Sequence, residues 1–125
     1  MTPTGFDHIV LCVRDIYATM GFYERALGMK AREESTGKWA LHFGSAKISL
    51  QQPDTLPEIA KGTIPGSANF CLVAEGEITQ IAEHLTANDV KIIAGPGLKK
   101  GALRPMRSVY INDPDGNLVE VCVYG

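Results

Sequence analysis

Two side chains that can do chemistry interrupt apolar, strand-like runs at opposite ends of the chain. His8 lies in the first run and Glu120 in the last, Leu118–Val123. Successive strand residues face opposite sides, so Glu120 shares a face with Cys122 while the valines form an apolar face. The carboxylate then either ends in solvent or lines a cavity, where it can bind a metal or a proton. A neutral imidazole and a carboxylate together suit a divalent first-row metal ion.

A tight turn precedes the strand that carries Glu120. The segment 113–117, Asp-Pro-Asp-Gly-Asn, fixes a chain reversal through backbone geometry. The Leu-Val-Glu-Val-Cys-Val run after it has the composition of a strand. We therefore expect Glu120 to be rigidly placed.

Length and composition limit the class of protein. With 125 residues, 45% of them hydrophobic, the chain fits one globular domain spanning 1–125. A net charge of −2 and scattered basic residues exclude a nucleic-acid footprint. The three cysteines have no zinc-finger spacing, and no apolar run reaches the ~20 residues that cross a bilayer. We expect a cytoplasmic protein that binds neither nucleic acid nor a membrane.

The first half of the chain predicts the order β-α-β-β-β. Phe6–Val13 reads as a strand, and Asp15 is a plausible N-cap for a helix that ends at Gly28. Three short strands follow, over 30–34, 39–43 and 46–51, separated by glycine-containing turns.

The second half predicts the same order after a loop rich in proline and glycine. Its elements are a strand over 69–73, a helix over about 77–87, a strand over 90–94, a glycine-rich loop through Gly101, and strands over 107–112 and 118–123. The repeat indicates an internal duplication, with module one at 5–52, a loop at 53–67 and module two at 68–124.

Superposing the two modules aligns polar residues within apolar strands. His8 aligns with Asn69, and Ser49 aligns with Glu120. Each module leaves one sheet face uncovered by its helix, so two modules can close around a shared cup. The sequence therefore predicts an α+β fold in which two βαβββ modules form a curved mixed sheet around a central cup lined by these four residues.

These motifs resemble the vicinal oxygen chelate superfamily, which includes glyoxalase I, fosfomycin-inactivating enzymes, bleomycin-binding proteins and extradiol dioxygenases. The resemblance covers essentially the whole chain. It depends on the Asp7–Leu11 run, on Phe22-Tyr23 and Leu27-Gly28-Met29 at the end of the first helix, and on the run 113–120. The chain is most similar to small glyoxalase-domain proteins of this superfamily.

The resemblance implies a divalent metal cation held by His8, Asn69 and Glu120. Asn69 and Ser49 stand at positions where the family uses stronger ligands; Gln51 could substitute, whereas His42 is expected to face elsewhere. The same resemblance implies ligand contacts from Ser108 and Tyr110, which we assign to catalysis together with Glu120.

Two functions of different class remain open. The first is a metal-dependent lyase or isomerase that acts on a small substrate with two neighbouring oxygens. The second is a metal-free protein that binds or sequesters a small molecule, as bleomycin-binding relatives do. The resemblance also implies a homodimer with sites shared between chains, swapped or unswapped. Fosfomycin inactivation is not expected, because Val10 replaces a hydroxyl residue that those relatives favour.

Overall fold

The computed structural model describes residues 1–125 and divides them into two compact units. Unit 1 comprises Met1–Ser67 and unit 2 comprises Ala68–Gly125. Each unit contains one α-helix and one four-stranded mixed sheet. The predicted α+β class and the two βαβββ modules are thus confirmed.

Unit 1 follows the order β-α-β-β-β. Its elements are β1 (His8–Cys12), α1 (Ile16–Leu27), β2 (Lys30–Ser35), β3 (Lys38–Phe43), β4 (Ala46–Gln51) and a short 3₁₀ turn at Pro53–Thr55. The strands lie in the order β1-β4-β3-β2, with β1 and β4 parallel and the other pairs antiparallel.

Helix α1 begins and ends at the residues that the sequence predicts. The Asp15 side chain accepts a hydrogen bond from the Ala18 N–H at 3.0 Å, which satisfies one of the helix's unpaired donors. Gly28 adopts the left-handed conformation, with φ of 65°, and its N–H donates to the Glu24 carbonyl oxygen. These two caps fix where the chain enters and leaves the helix.

Unit 2 repeats this arrangement. Its elements are β5 (Asn69–Val73), α2 (Ile78–Ala87), β6 (Ala94–Lys100), β7 (Pro105–Asn112) and β8 (Leu118–Val123). The strands lie in the order β5-β8-β7-β6, with β5 and β8 parallel. The order of unit 1 is reproduced strand for strand, which is what the predicted duplication requires.

Strand β6 corrects the sequence-based prediction. The predicted strand at 90–94 and the predicted loop through Gly101 are wrong, because β6 runs from Ala94 to Lys100. Gly95 permits close backbone approach to β7, because a Cβ atom on it would meet the Ser108 carbonyl oxygen at 2.5 Å. Glycine here marks strand contact rather than a loop.

Each unit has its own apolar core. In unit 1 the fully buried side chains include Val13, Tyr23, Leu41 and Ile48; in unit 2 they include Leu85, Val109, Ile111 and Val119. The valine face of β8 is therefore core, as the alternation predicts. No helix of the chain is both long and apolar enough to cross a membrane.

Candidate functional site

Glu120 lies at the centre of a polar row across the sheet of unit 2. Strand register places it directly opposite Cys71 of β5 and Tyr110 of β7, so the three side chains share one sheet face. Ser108 and Cys122 form the next cross-strand pair on that face. The sequence-predicted residues Glu120, Tyr110 and Ser108 are thus brought together.

Two side-chain oxygen atoms on this sheet face lack hydrogen-bond partners. Glu120 is half-buried, yet its Oε2 atom is buried and has no partner, and the Oγ atom of the buried Ser108 is in the same state. Buried polar groups in folded proteins are nearly always paired, and an unpaired one commonly marks a site for a ligand, an ion or a water molecule. We refer to Cys71, Ser108, Tyr110, Glu120 and Cys122 as the Glu120 cluster.

Two acidic groups of the Glu120 cluster, the Tyr110 hydroxyl and the Cys71 thiol, have raised pKa values. Burial, followed by the nearby Glu120 carboxylate, raises the pKa of the Tyr110 hydroxyl. Partial burial of the thiol, with Cys122 and Glu120 close by, raises the pKa of Cys71 to about 12, although Cys71 as a residue is exposed. At neutral pH the row therefore presents a phenol and a thiol next to a carboxylate.

The turn before β8 anchors Glu120. Both oxygens of the buried Asp113 carboxylate accept hydrogen bonds from Asn117, at 3.0 Å from its backbone N–H and 2.8 Å from its side-chain amide. The Asn117 side-chain oxygen in turn accepts the Ala68 N–H at 2.8 Å. This network ties the start of β5 to the start of β8. The rigidity predicted for Glu120 thus has a physical basis.

Three further residues lie on the strands around the row. Asn69 is exposed on β5, and its register partner is Leu118, one pair away from the Cys71–Glu120 pair on the same face. Met106 of β7 is buried on the same sheet face as Ser108. Lys99, predicted to lie in a loop, instead belongs to β6, and its Nζ atom is 5.8 Å from the centre of the Tyr110 ring.

His8 belongs to unit 1 and is oriented by its neighbour. The His8 side chain is 46% exposed, and its Nδ1 atom lies 2.7 Å from Oδ1 of Asp7. This hydrogen bond lowers the pKa of the Asp7 carboxyl group. A carboxylate that holds Nδ1 leaves Nε2 as the ligating nitrogen of the ring, an arrangement that is common for metal-binding histidines. Sequence reasoning gave Asp7 no role, although it stands next to His8.

His42 corrects a second prediction. It was expected to face away from the site, but it pairs in register with Lys47, which also pairs with His8, so the three residues share a sheet face. Glu34 joins them: its Oε1 atom is 3.0 Å from both Nε2 of His42 and Nζ of Lys47. The hydrogen bond from Lys47 is the main cause that lowers the pKa of Glu34. The cross-strand register that unites these residues is set by pairing, which alternation within one strand does not reveal.

Ser49 and Gln51 continue the same face of unit 1. Ser49 is the register partner of Val10, and Gln51 is the partner of Cys12. The Oε1 atom of Gln51 is buried and has no hydrogen-bond partner. This face therefore carries an unpaired acceptor of its own.

The residues present fit a metal ion as individual ligands. Glu120 offers an oxygen without a partner, and the Asp7–His8 pair orients an imidazole. Neither unit by itself gathers three His, Cys, Asp or Glu side chains into a group that could hold a metal ion. Glu120 in unit 2 and His8 in unit 1 are thus each a candidate ligand within their own unit.

The chain belongs to the Glyoxalase/Bleomycin resistance protein/Dioxygenase superfamily, whose family model matches residues 5–121. The virulence protein STM3117 of Salmonella typhimurium is 38% identical over 120 residues, which cover 94% of this chain and 83% of that protein. The glyoxalase domain-containing protein RDO1 of Mycosarcoma maydis is 38% identical over 126 residues, covering 99% of this chain and 70% of that protein.

Solved structures agree with this assignment. An integron cassette protein from the mobile metagenome of V. cholerae has a TM-score of 0.95 and 40% identity, covering 100% of this chain and 98% of its own. More distant structures share the fold alone. They include lactoylglutathione lyase from Agrobacterium tumefaciens, at 21% identity and a TM-score of 0.75, and the antibiotic binding protein TnmS3 from Streptomyces, at 17% and 0.79.

Proposed function

We propose that the protein is a divalent-cation-dependent lyase or isomerase that acts on a small molecule with two neighbouring oxygens. The observation that carries this proposal is the buried Oε2 atom of Glu120, which has no hydrogen-bond partner. Glu120, His8 and Asn69 are the proposed metal ligands, contributed within one chain or between the two chains of a homodimer.

The chemistry of the Glu120 cluster supports this proposal. A carboxylate oxygen that is buried without a partner is costly, and a cation or a ligand hydrogen-bond donor would remove that cost. The Asp7–His8 pair orients a second donor of the kind that first-row metals prefer. The superfamily contains both enzymes and binding proteins, so membership of it is consistent with an enzyme and with a binding protein.

The three oxygen-bearing residues of the cluster, Ser108, Tyr110 and Glu120, each have a proposed task. A divalent cation supplies polarisation of a substrate oxygen when it is bound. Tyr110, whose hydroxyl is protonated at neutral pH and has a raised pKa, donates a hydrogen bond to negative charge that develops on the substrate. Ser108 contributes a second hydroxyl on the same face. Glu120 ligates the cation or accepts the proton that leaves the substrate.

Metal titration tests the proposal directly. Purified protein treated with EDTA is titrated with Mn²⁺, and free Mn²⁺ is followed by electron paramagnetic resonance. We expect one site per chain, its loss in Glu120→Gln, and at least a tenfold weaker site in His8→Gln. Glu120→Gln keeps the size of the side chain but replaces the charged carboxylate with a neutral, weakly ligating amide, and His8→Gln replaces the imidazole nitrogen in the same way.

Two surface variants serve as matched controls. Glu83→Gln and His84→Gln alter the same residue types on exposed positions of α2 and should leave Mn²⁺ binding unchanged. Absence of stoichiometric Mn²⁺ binding in the unaltered protein would overturn the proposal. Binding that survives Glu120→Gln at full affinity would do the same.

A second candidate is a metal-free protein that sequesters a small molecule. Asn69, an exposed amide at the third ligand position, favours it, because an amide oxygen is a weak ligand for first-row metals. Calorimetric titration of the EDTA-treated protein with bleomycin distinguishes the two functions. Saturable binding with one ligand per site supports sequestration, whereas no heat of binding rules out a bleomycin-type activity.

A further inference from the structure

A cleft in unit 2 lies between the first turn of α2 and the end of the sheet, and it has no role in the proposed function. Its volume is about 250 Å³. Drug-sized ligands occupy sites of roughly 300–1,000 Å³, so this cleft suits a smaller molecule. The lining residues that matter here are Glu77, Ile78, Leu98, Arg107 and Val123.

Strand register places three of these side chains in one row across the sheet, on the face opposite the Glu120 cluster. Leu98 of β6 pairs with Arg107 of β7, and Arg107 pairs with Val123 of β8. The next row on this face contains the completely buried Val109. Val123 and Ile78 are also buried, whereas Leu98 is 67% exposed. The cleft therefore has an apolar floor that continues the core of unit 2 and ends in an uncovered leucine.

Arg107 and Glu77 bring opposite charges to the cleft without neutralising each other. Both residues are exposed, and neither side chain takes part in a hydrogen bond or an ion pair. A guanidinium group donates to a carboxylate in a forked geometry, and a carboxylate accepts hydrogen bonds from an ammonium group. A ligand that carries one carboxylate and one ammonium group complements both side chains.

The corresponding helix start in unit 1 explains why the Glu77 carboxylate is available. Asp15 precedes α1, and its carboxylate accepts the Ala18 N–H at 3.0 Å. Glu77 holds the same position before α2 but makes no side-chain hydrogen bond to its helix. Aspartate is among the residues preferred at this position, because its short side chain reaches the first turn of the helix. The charge of Glu77 therefore remains free for a ligand in the cleft.

We propose that this cleft binds a free α-amino acid with an apolar side chain. The carboxylate of the ligand contacts Arg107, its ammonium group contacts Glu77, and its side chain covers Leu98 and Ile78. An α-amino acid carries both charges on one carbon with an apolar group beside them, which matches the size of the cleft and removes the apolar surface of Leu98 from water. The site lies wholly within unit 2 and involves none of the proposed metal ligands.

Methyl NMR of the full-length protein tests the proposal. EDTA-treated protein, labelled at the methyl groups of Ile, Leu and Val, is titrated with L-leucine. We expect saturable shifts of the Ile78, Leu98 and Val123 methyl resonances and none at Leu118, which lies on the opposite face of β8 from Val123. No saturable shift, or shifts confined to Leu118 or to unit 1, would overturn the proposal.

Three analogues of L-leucine separate the parts of the ligand. 4-Methylpentanoate lacks the ammonium group, 3-methylbutylamine lacks the carboxylate, and glycine lacks the apolar side chain. Each should bind at least tenfold more weakly than L-leucine. Affinity equal to that of L-leucine for any one of the three would overturn the proposal, because the missing group would then have no role in binding.

Substitutions assign each charge to one end of the ligand. Arg107→Gln should weaken the binding of L-leucine at least tenfold without weakening that of 3-methylbutylamine, which has no carboxylate. Glu77→Gln should weaken the binding of L-leucine at least tenfold without weakening that of 4-methylpentanoate, which has no ammonium group. Full affinity for L-leucine in either variant would contradict the proposed contacts.

Control variants keep the test independent of folding and of the Glu120 cluster. Arg32→Gln on β2 and Glu83→Gln on α2 alter the same residue types at exposed positions and should leave L-leucine binding unchanged. The methyl spectrum of each variant shows directly whether it is folded. Glu120→Gln should retain L-leucine binding even where it abolishes Mn²⁺ binding. Loss of L-leucine binding in that variant would show that the cleft is not a separate site.

Discussion

Glu120 of β8 lies directly opposite Tyr110 of β7 in the antiparallel register, and its carboxylate contributes to the raised pKa of the phenol. Glu120, the residue that the sequence singled out first, thus lies beside a hydroxyl group whose pKa is raised in the folded protein. Their shared sheet face also contains the unpaired Oγ atom of Ser108.

Removing the charge of Glu120 should lower the pKa of Tyr110. In Glu120→Gln the pKa should move toward its ordinary value without reaching it, because burial is the larger cause of the shift and remains. Titration of the tyrosine Cζ carbon by NMR measures this change. Glu83→Gln should leave the Tyr110 curve in place, and identical curves for Glu120→Gln and the unaltered protein would contradict the assigned cause.

Cys71 should react slowly despite its exposure. The thiolate is the nucleophile, and a pKa of about 12 leaves very little thiolate at pH 8. We expect alkylation of Cys71 by iodoacetamide to be at least about tenfold slower than that of glutathione, since the thiolate fraction falls steeply with rising pKa. Mass spectrometry of the Cys71 peptide measures the rate.

Two variants check the cause of this slow reaction. Cys122→Ala and Glu120→Gln each remove a neighbour that raises the pKa of Cys71, so each should accelerate alkylation. Glu77→Gln, at the start of α2, should not accelerate alkylation of Cys71. A Cys71 rate equal to that of glutathione in the unaltered protein would show that its pKa is not raised.

Stability should decline in alkaline solution. Tyr110 and Cys71 both have raised pKa values in the folded state, so above pH 9 the unfolded chain has lost protons that the folded chain retains. The free energy of unfolding therefore falls as pH rises, for Cys71 between about 9 and about 12. Urea unfolding at several pH values should give a shallower decline for Cys71→Ser; a slope unchanged from that of the unaltered protein would disagree with this linkage.

Asn117 should be among the most sensitive polar positions. Asn117→Ala removes the donor to the buried Asp113 carboxylate and the acceptor of the Ala68 N–H. We expect a loss of about 3 kcal/mol in the free energy of unfolding, because a buried charged acceptor loses a partner. Asn112→Ala in the same turn removes only two 3.4 Å contacts and should cost less than about 1 kcal/mol. Equal losses would contradict the role of the network.

Gly95 and Gly97 of β6 should respond differently to alanine. Gly95 has a φ of 84°, and an added Cβ would meet the Ser108 carbonyl oxygen, so Gly95→Ala should cost at least about 2 kcal/mol. Gly97 has open space at its Cβ position, so Gly97→Ala should stay within about 1 kcal/mol of the unaltered protein. Urea unfolding midpoints compare the two, and a tolerated Gly95→Ala would be contrary to this expectation.

Most elements follow from local signals in the sequence. Strand β4 and strand β5 have the predicted bounds, and α1 lies between its predicted caps Asp15 and Gly28. Strand β6 could not be predicted in this way, because glycine and proline signal a loop by propensity. Its pairing with β7 instead depends on how closely two backbones approach, as at Gly95.

The candidate site shows the same difference between local signals in the sequence and contacts between strands. The family resemblance pointed to Ser108 and Tyr110, and strand register places both on the sheet face of Glu120. Alternation along a single strand could not place His42, because the face of β3 relative to β4 depends on the register between strands. Lys47 and Glu34 were missed for the same reason, because their ion pair joins residues that are distant in sequence. Asp7 was missed although it is the sequence neighbour of His8.

The sequence by itself determined the duplicated βαβββ pattern and the position of Glu120 after its turn, because these depend on local backbone preferences and strand alternation. The family followed from the resemblance of its motifs. The tertiary structure decided which atoms lack partners, at Glu120, Ser108 and Gln51, and which groups alter one another's pKa. Hydrogen-bond satisfaction and desolvation are sums over neighbours from distant parts of the chain, so only the folded arrangement can fix them.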